Sequence, residues 1–108
     1  MSNQQIKGHL EALVLAILEA GPAHGYSIIE SLRANSAGLF DLPEGTIYPA
    51  LHRLEDAGLV NSTREIVEGR QRRIYQLVAA GQQSLTESRA SWHKFSLAIT
   101  KILAVNPA

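Results

Sequence analysis

The sequence predicts a mainly α chain with one small β-hairpin between a third helix and a long last helix. Three observations carry this expectation. Apolar residues recur at helical spacing through the first half. A stretch after Gly58 is rich in β-branched residues and is broken by Glu68-Gly69. The last quarter then returns to a heptad-like stripe.

The first helix rests on Leu10, Leu13, Val14, Ile17 and Leu18, which share one face. Gly21-Pro22 ends it, because Gly tolerates left-handed angles and Pro cannot continue the ladder. Ile28, Ile29 and Leu32 mark a second helix from about His24 to Asn35, and Asn35-Ser36-Ala37-Gly38 reads as a loop. The third helix runs through Ile47, Leu51 and Leu54 to Ala57-Gly58. Its start has two solutions. Either Pro43 opens it and Pro49 lies inside a kinked helix, or Thr46 caps it and Pro49 falls in the first turn.

Residues 60–67 and 73–78 form the two hairpin strands, with Tyr75 and Leu77 on one face. Arg70-Gln71-Arg72 extends the turn if the loop exceeds two residues. The last helix spans about Ala79 to Leu103. Leu85, Trp92 and Ile99 are spaced by seven, and Ser88, Phe95 and Ile102 follow three positions later. Three helices, a hairpin and a long helix are the order of a winged helix-turn-helix with a C-terminal helix added. The expected division is residues 1–78 for the winged helix-turn-helix and 79–108 for the last helix.

Composition narrows the function. The chain has 108 residues, suited to one domain, and its 45% hydrophobic content suits a packed core. It has no cysteine, which removes disulfides, thiolate metal sites and cysteine nucleophiles. No apolar run approaches the roughly 20 residues that span a bilayer. Met1-Ser2-Asn3-Gln4-Gln5 lacks the start of a signal peptide, so the expectation is a soluble cytoplasmic protein. His9, His24, His52 and His93 lack metal-ligand spacing. No phosphate loop, paired-carboxylate site or nucleophile motif appears, so neither an enzyme nor a cofactor is expected.

Ten basic residues balance ten acidic ones. The balance conceals two unlike halves. Residues 1–68 hold four basic and nine acidic residues; residues 69–108 hold six basic residues and Glu87 alone. Arg70, Arg72 and Arg73 lie within four positions. Such a cluster either solvates a turn or meets an anionic partner.

Gly45-Thr46-Ile47-Tyr48-Pro49-Ala50-Leu51-His52-Arg53-Leu54-Glu55, followed by Gly58-Leu59-Val60, resembles the recognition-helix signature of PadR-family transcriptional regulators. His24-Gly25-Tyr26-Ser27-Ile28 resembles the family's second-helix opening, and residues 69–77 resemble its wing. The likeness covers about residues 8–81. The short tail is similar to the subgroup with a single C-terminal helix. Two departures stand out. Val78 replaces the usual capping Thr, and Gln71 stands where the wing commonly has Pro.

The resemblance implies a homodimeric, ligand-responsive repressor of double-stranded DNA with an inverted-repeat operator. Thr46, Tyr48, Pro49 and Arg53 are its candidate contacts on the recognition helix. Alternatives are burial for Tyr48 and an ion pair with Asp56 for Arg53. His52 reads as solvated or partly buried. Glu44 is either a first-turn dipole partner or a contact to cytosine N4. Arg70, Arg72 and Arg73 are candidates for the DNA backbone or minor groove, although alternation sets Arg72 opposite to Arg73.

Leu85, Trp92, Phe95, Ile99 and Ile102 are the expected dimer stripe, too apolar to leave exposed. Trp92, with Ser88 and Ser91 nearby, resembles the ligand platform of the subgroup's multidrug-binding members, where paired Trp rings sandwich a flat aromatic compound. For Trp92 the alternative is a dimer-interface Trp without ligand; for the chain, the alternatives are a winged-helix protein-interaction module without DNA binding and a constitutive DNA-binding regulator without effector. With net neutrality, non-specific DNA binding is expected to be weak, resting on a few placed arginines.

Overall fold

The computed structural model describes residues 9–104. The opening pentapeptide and the outer ends of both expected domain ranges lie outside the described residues. Helix α1 spans Leu10–Glu19, strand β1 Ala23–His24, helix α2 Gly25–Asn35 and helix α3 Glu44–Asp56. Strands β2, Val60–Val67, and β3, Arg70–Leu77, precede helix α4, Ala79–Leu103. No described helix is long and apolar enough to cross a membrane.

The predicted faces form most of one core; Leu15 joins it unpredicted, while Leu13, Ile17 and Ile29 pack at its edge. Leu10, Val14, Leu15 and Leu18 of α1 meet Ile28 and Leu32 of α2. Ile47, Ala50, Leu51 and Leu54 of α3 close the cluster, with Val60, Tyr75 and Leu85. Each helix thus buries a stripe at spacings of three and four, as a 3.6-residue repeat requires.

The α2–α3 turn is fixed by its backbone bonds. The Gly38 N–H reaches back to the Arg33 carbonyl at 2.8 Å. Ser36 Oγ donates to the Leu32 carbonyl at 2.7 Å and accepts the Phe40 N–H at 2.9 Å. Helix α3 ends in a tight cap, with the Leu59 N–H on the Leu54 carbonyl at 3.0 Å and Gly58 at φ 74°.

Helix α3 begins earlier than a Thr46 cap allows. Pro43 holds the cap position and its carbonyl accepts the N–H groups of Thr46 and Ile47 at 3.0 and 3.1 Å. Pro49 therefore lies inside the helix and leaves the Gly45 carbonyl without its usual donor. Burial of Ile47, Ala50, Leu51 and Leu54 outweighs that one lost bond.

The hairpin is tighter and its sheet wider than expected. Glu68 and Gly69, at φ 51° and 77°, make a two-residue turn, so Arg70, Gln71 and Arg72 belong to β3 rather than to a loop. Strand β1 adds a third, antiparallel strand, pairing Ala23 with Tyr75 and His24 with Ile74. The sheet order is β1-β3-β2.

Helix α4 docks by its first turns. Gly81 is buried, and a Cβ there would collide with the Leu59 carbonyl oxygen and come within 2.7 Å of Leu77 Cδ1. Leu85 is 2% exposed within this chain's own core. That corrects its assignment to the dimer stripe: it shares the heptad of Trp92 but is covered by its own protomer. From Trp92 onward the apolar residues lie open, at 50% exposure for Trp92, 55% for Phe95, 39% for Ile99 and 73% for Ile102.

The cap of α4 yields a stability prediction. Val78 has extended geometry and no side-chain hydrogen bond to the first turn. Val78→Thr should stabilise the protein by about 0.5–2 kcal/mol, read from urea unfolding. An unchanged midpoint would show that a cap adds nothing at this helix start.

Candidate nucleic-acid interface and helix groove

Two surfaces concentrate the candidate residues. The first is a shallow groove of about 390 Å³ where the fronts of α2 and α3 face β3. His24, Tyr26, Glu44 and Tyr48 line it from the helices; Gln71, Arg72 and Arg73 line it from the wing. His24 Nδ1 is buried and has no hydrogen-bond partner. Tyr48 is half-buried because its ring lies on Gly25, where an added Cβ would sit 2.6 Å from Tyr48 Cε1. Thr46 is half-buried, while Pro49, His52 and Arg53 are exposed.

The arginines divide by their partners. Arg53 Nε donates to Glu11 Oε1 at 2.9 Å, which ties α3 to α1 rather than to Asp56. Arg73 Nη1 donates to Ser62 Oγ at 2.9 Å, and Ser62 in turn donates to Glu55 Oε2 at 2.6 Å. This relay joins the wing to the last turn of α3. Behind it, burial pushes the Tyr75 phenol up from its ordinary pKa, and the Glu55 charge adds to the shift.

Across the ladder Arg72 stands opposite Glu65, and Arg73 opposite Arg64. Arg70 and Arg72 thus share the hairpin face away from Tyr75, whereas Arg73 shares the Tyr75 face. Arg70 and Arg72 form no ion pair among the described residues.

The second surface is a groove of about 840 Å³ between α1 and α4, closed at one side by Phe40. It brings Trp92, Ser88 and Ser91 together. The Trp92 ring meets His9 edge-on at 5.2 Å and lies 5.8 Å from Phe95. Among the described residues, no three His, Asp or Glu side chains gather as metal ligands.

Beside this groove Arg89 grips Glu19 with two bonds, at 2.8 and 2.9 Å, and Gln82 Nε2 adds a third at 2.8 Å. The bond from Arg89, then that from Gln82, holds the Glu19 carboxyl down at about 2, from an ordinary 4.5. Glu11, Glu19, Glu55 and Ser62 were not legible as partners, because their bonds span long or irregular separations in sequence and follow no local pattern.

The lowered carboxyl sets an acid limb for stability. The folded state holds fewer protons on Glu19 than the unfolded chain, so this contribution is complete above pH 4.5 and fades as pH falls toward about 2. The pair is exposed, so salt screens it. Glu19→Gln should flatten the loss of stability between those pH values at low salt, measured by urea midpoints. An identical pH profile would show that the clamp is too screened to matter.

Comparisons with known proteins converge. The model of the PadR-like family of transcriptional regulators matches residues 14–87. A transcriptional regulator of Mycobacterium tuberculosis is 41% identical over 66 residues, covering 61% of this chain and 59% of that protein. The chain therefore matches less than two thirds of that relative's length. A PadR-family regulator structure from Eggerthella lenta superposes with a TM-score of 0.82 at 31% identity, covering 95% of this chain and 88% of that one. A PadR-like regulator from Bacillus cereus gives 0.81 at 30% identity, covering 96% and 100%.

Proposed function

Because the chain belongs to the PadR-like family of transcriptional regulators, DNA-binding proteins and not enzymes, we propose that it is a ligand-responsive repressor that binds its operator as a homodimer. One observation supports the DNA reading: the groove between the start of α3 and the wing sets Tyr48 beside Arg72 and Arg73. In this reading residues 1–78 read DNA and 79–108 join the subunits.

Thr46, Pro49 and the Tyr48 hydroxyl meet base edges and phosphate in the major groove. Arg70 and Arg72 meet the backbone or minor groove, and Arg73 offers the part of its guanidinium that Ser62 does not hold. Arg53 reaches phosphate only by sharing or leaving Glu11. A two-fold axis between subunits sets two α3 helices about one helical turn apart and calls for an inverted repeat.

The open stripe of Trp92, Phe95, Ile99 and Ile102 supports the homodimer, since water contact with so much apolar surface is unfavourable. The α1–α4 groove supports an effector site. A planar aromatic compound would stack on Trp92, with the Ser88 and Ser91 hydroxyls beside it. Such a ligand changes DNA affinity only if it favours one spacing of the two reading heads.

Three measurements test this reading. Arg72→Ala should weaken binding on all sequences and reduce the salt slope by about one unit, whereas Thr46→Ala should alter sequence preference. An unchanged slope removes Arg72 from the contacts. Ile99→Asp should turn a dimer into a monomer by light scattering, because a carboxylate would be stranded in an apolar interface. Trp92 fluorescence should be quenched by some members of a planar aromatic panel and by none if the regulator has no effector.

A further inference from the structure

No packed neighbour requires position 45 to be glycine. It is exposed and helical, and its φ is not positive. A Cβ built on it would meet nothing within 4 Å. Gly81 and Gly25, by contrast, are each pressed by a neighbour. Glycine within a helix costs conformational entropy, and one use that offsets the cost is close approach of another molecule to the backbone.

The residue before it opens α3, where a carboxylate suits the helix dipole, yet its side chain faces outward. Glu44 is exposed, forms no ion pair among the described residues and lines the groove that holds Arg72 and Arg73. A free carboxylate on a face meant for phosphate is repulsive unless it accepts a hydrogen bond there. In the major groove the base that offers only a donor is cytosine, through N4.

We propose that the Glu44–Gly45 edge of α3 is the point of closest approach to the base pairs, with Gly45 giving clearance and Glu44 selecting cytosine. This rests on the DNA-binding reading above. The rival account lies inside the helix: Gly45 eases the crowding of the Pro49 ring against its carbonyl.

The test starts with wild-type protein and a random-sequence duplex pool. Absence of any enriched, salt-sensitive binding sinks the DNA reading itself. Given an enriched duplex, Gly45→Ala should melt at or above wild type yet bind that duplex about tenfold more weakly. Glu44→Ala should lose about tenfold preference for cytosine at one position of each half-site and bind unrelated duplexes at least as well. A Gly45→Ala protein that melts lower favours the rival and overturns the clearance role, as does one with unchanged affinity. Glu44→Ala protein that enriches the same sequence overturns the selection of cytosine.

Discussion

At the start of α4 the helix backbone lies against the carbonyl of Leu59, and position 81 has room for no side chain. The same carbonyl accepts the Val78 N–H at 3.4 Å. The turn that ends α3 and the turn that begins α4 are therefore in direct backbone contact. This point ties the start of α4 to the end of α3. Leu85 then drops into the core one turn later, and Arg89 closes on Glu19 one turn after that. A hydrogen bond, a buried leucine and an ion pair thus fix the axis of α4 against the body.

The charge pattern has a structural counterpart. Part of the positive charge is held by partners on the protein's own surface. Arg53 holds Glu11, Arg89 holds Glu19, and Arg73 reaches Glu55 through Ser62. Arg70 and Arg72 remain as cations on the outer wing face, with Glu65 opposite Arg72. Neutrality in composition therefore becomes economy in structure: the acids orient the elements, and few arginines are left to face a polyanion.

Helical periodicity made most of the architecture legible. The stripes of α1 and α3 and both ends of α4 follow from spacing, because burial on one side imposes a 3.6-residue repeat. Strand β1 was not legible, since two residues carry no pattern and their partners lie about fifty positions away on β3. The start of α3 was ambiguous because Pro49 argues locally against a helix that its apolar neighbours require. Leu85 and Trp92 show a further limit. They hold equivalent heptad positions, yet one is sealed by its own chain and the other stands open. Periodicity identifies an apolar face but not which surface covers it. The candidate contacts were legible as a set of side chains, whereas the Glu11, Ser62 and Glu55 partners that restrain the arginines were not.

In the effector reading proposed above, the clamp between Arg89 and Glu19 would serve as a fulcrum. From Arg89 to Leu103 the helix rises about 21 Å, at 1.5 Å per residue. A tilt of about 10° at the clamp displaces the far end by roughly 4 Å, about one residue of extended chain. The groove that holds Trp92 lies alongside the pivot. A small wedge there would work on the short arm of a lever, and its effect would be magnified at the tip.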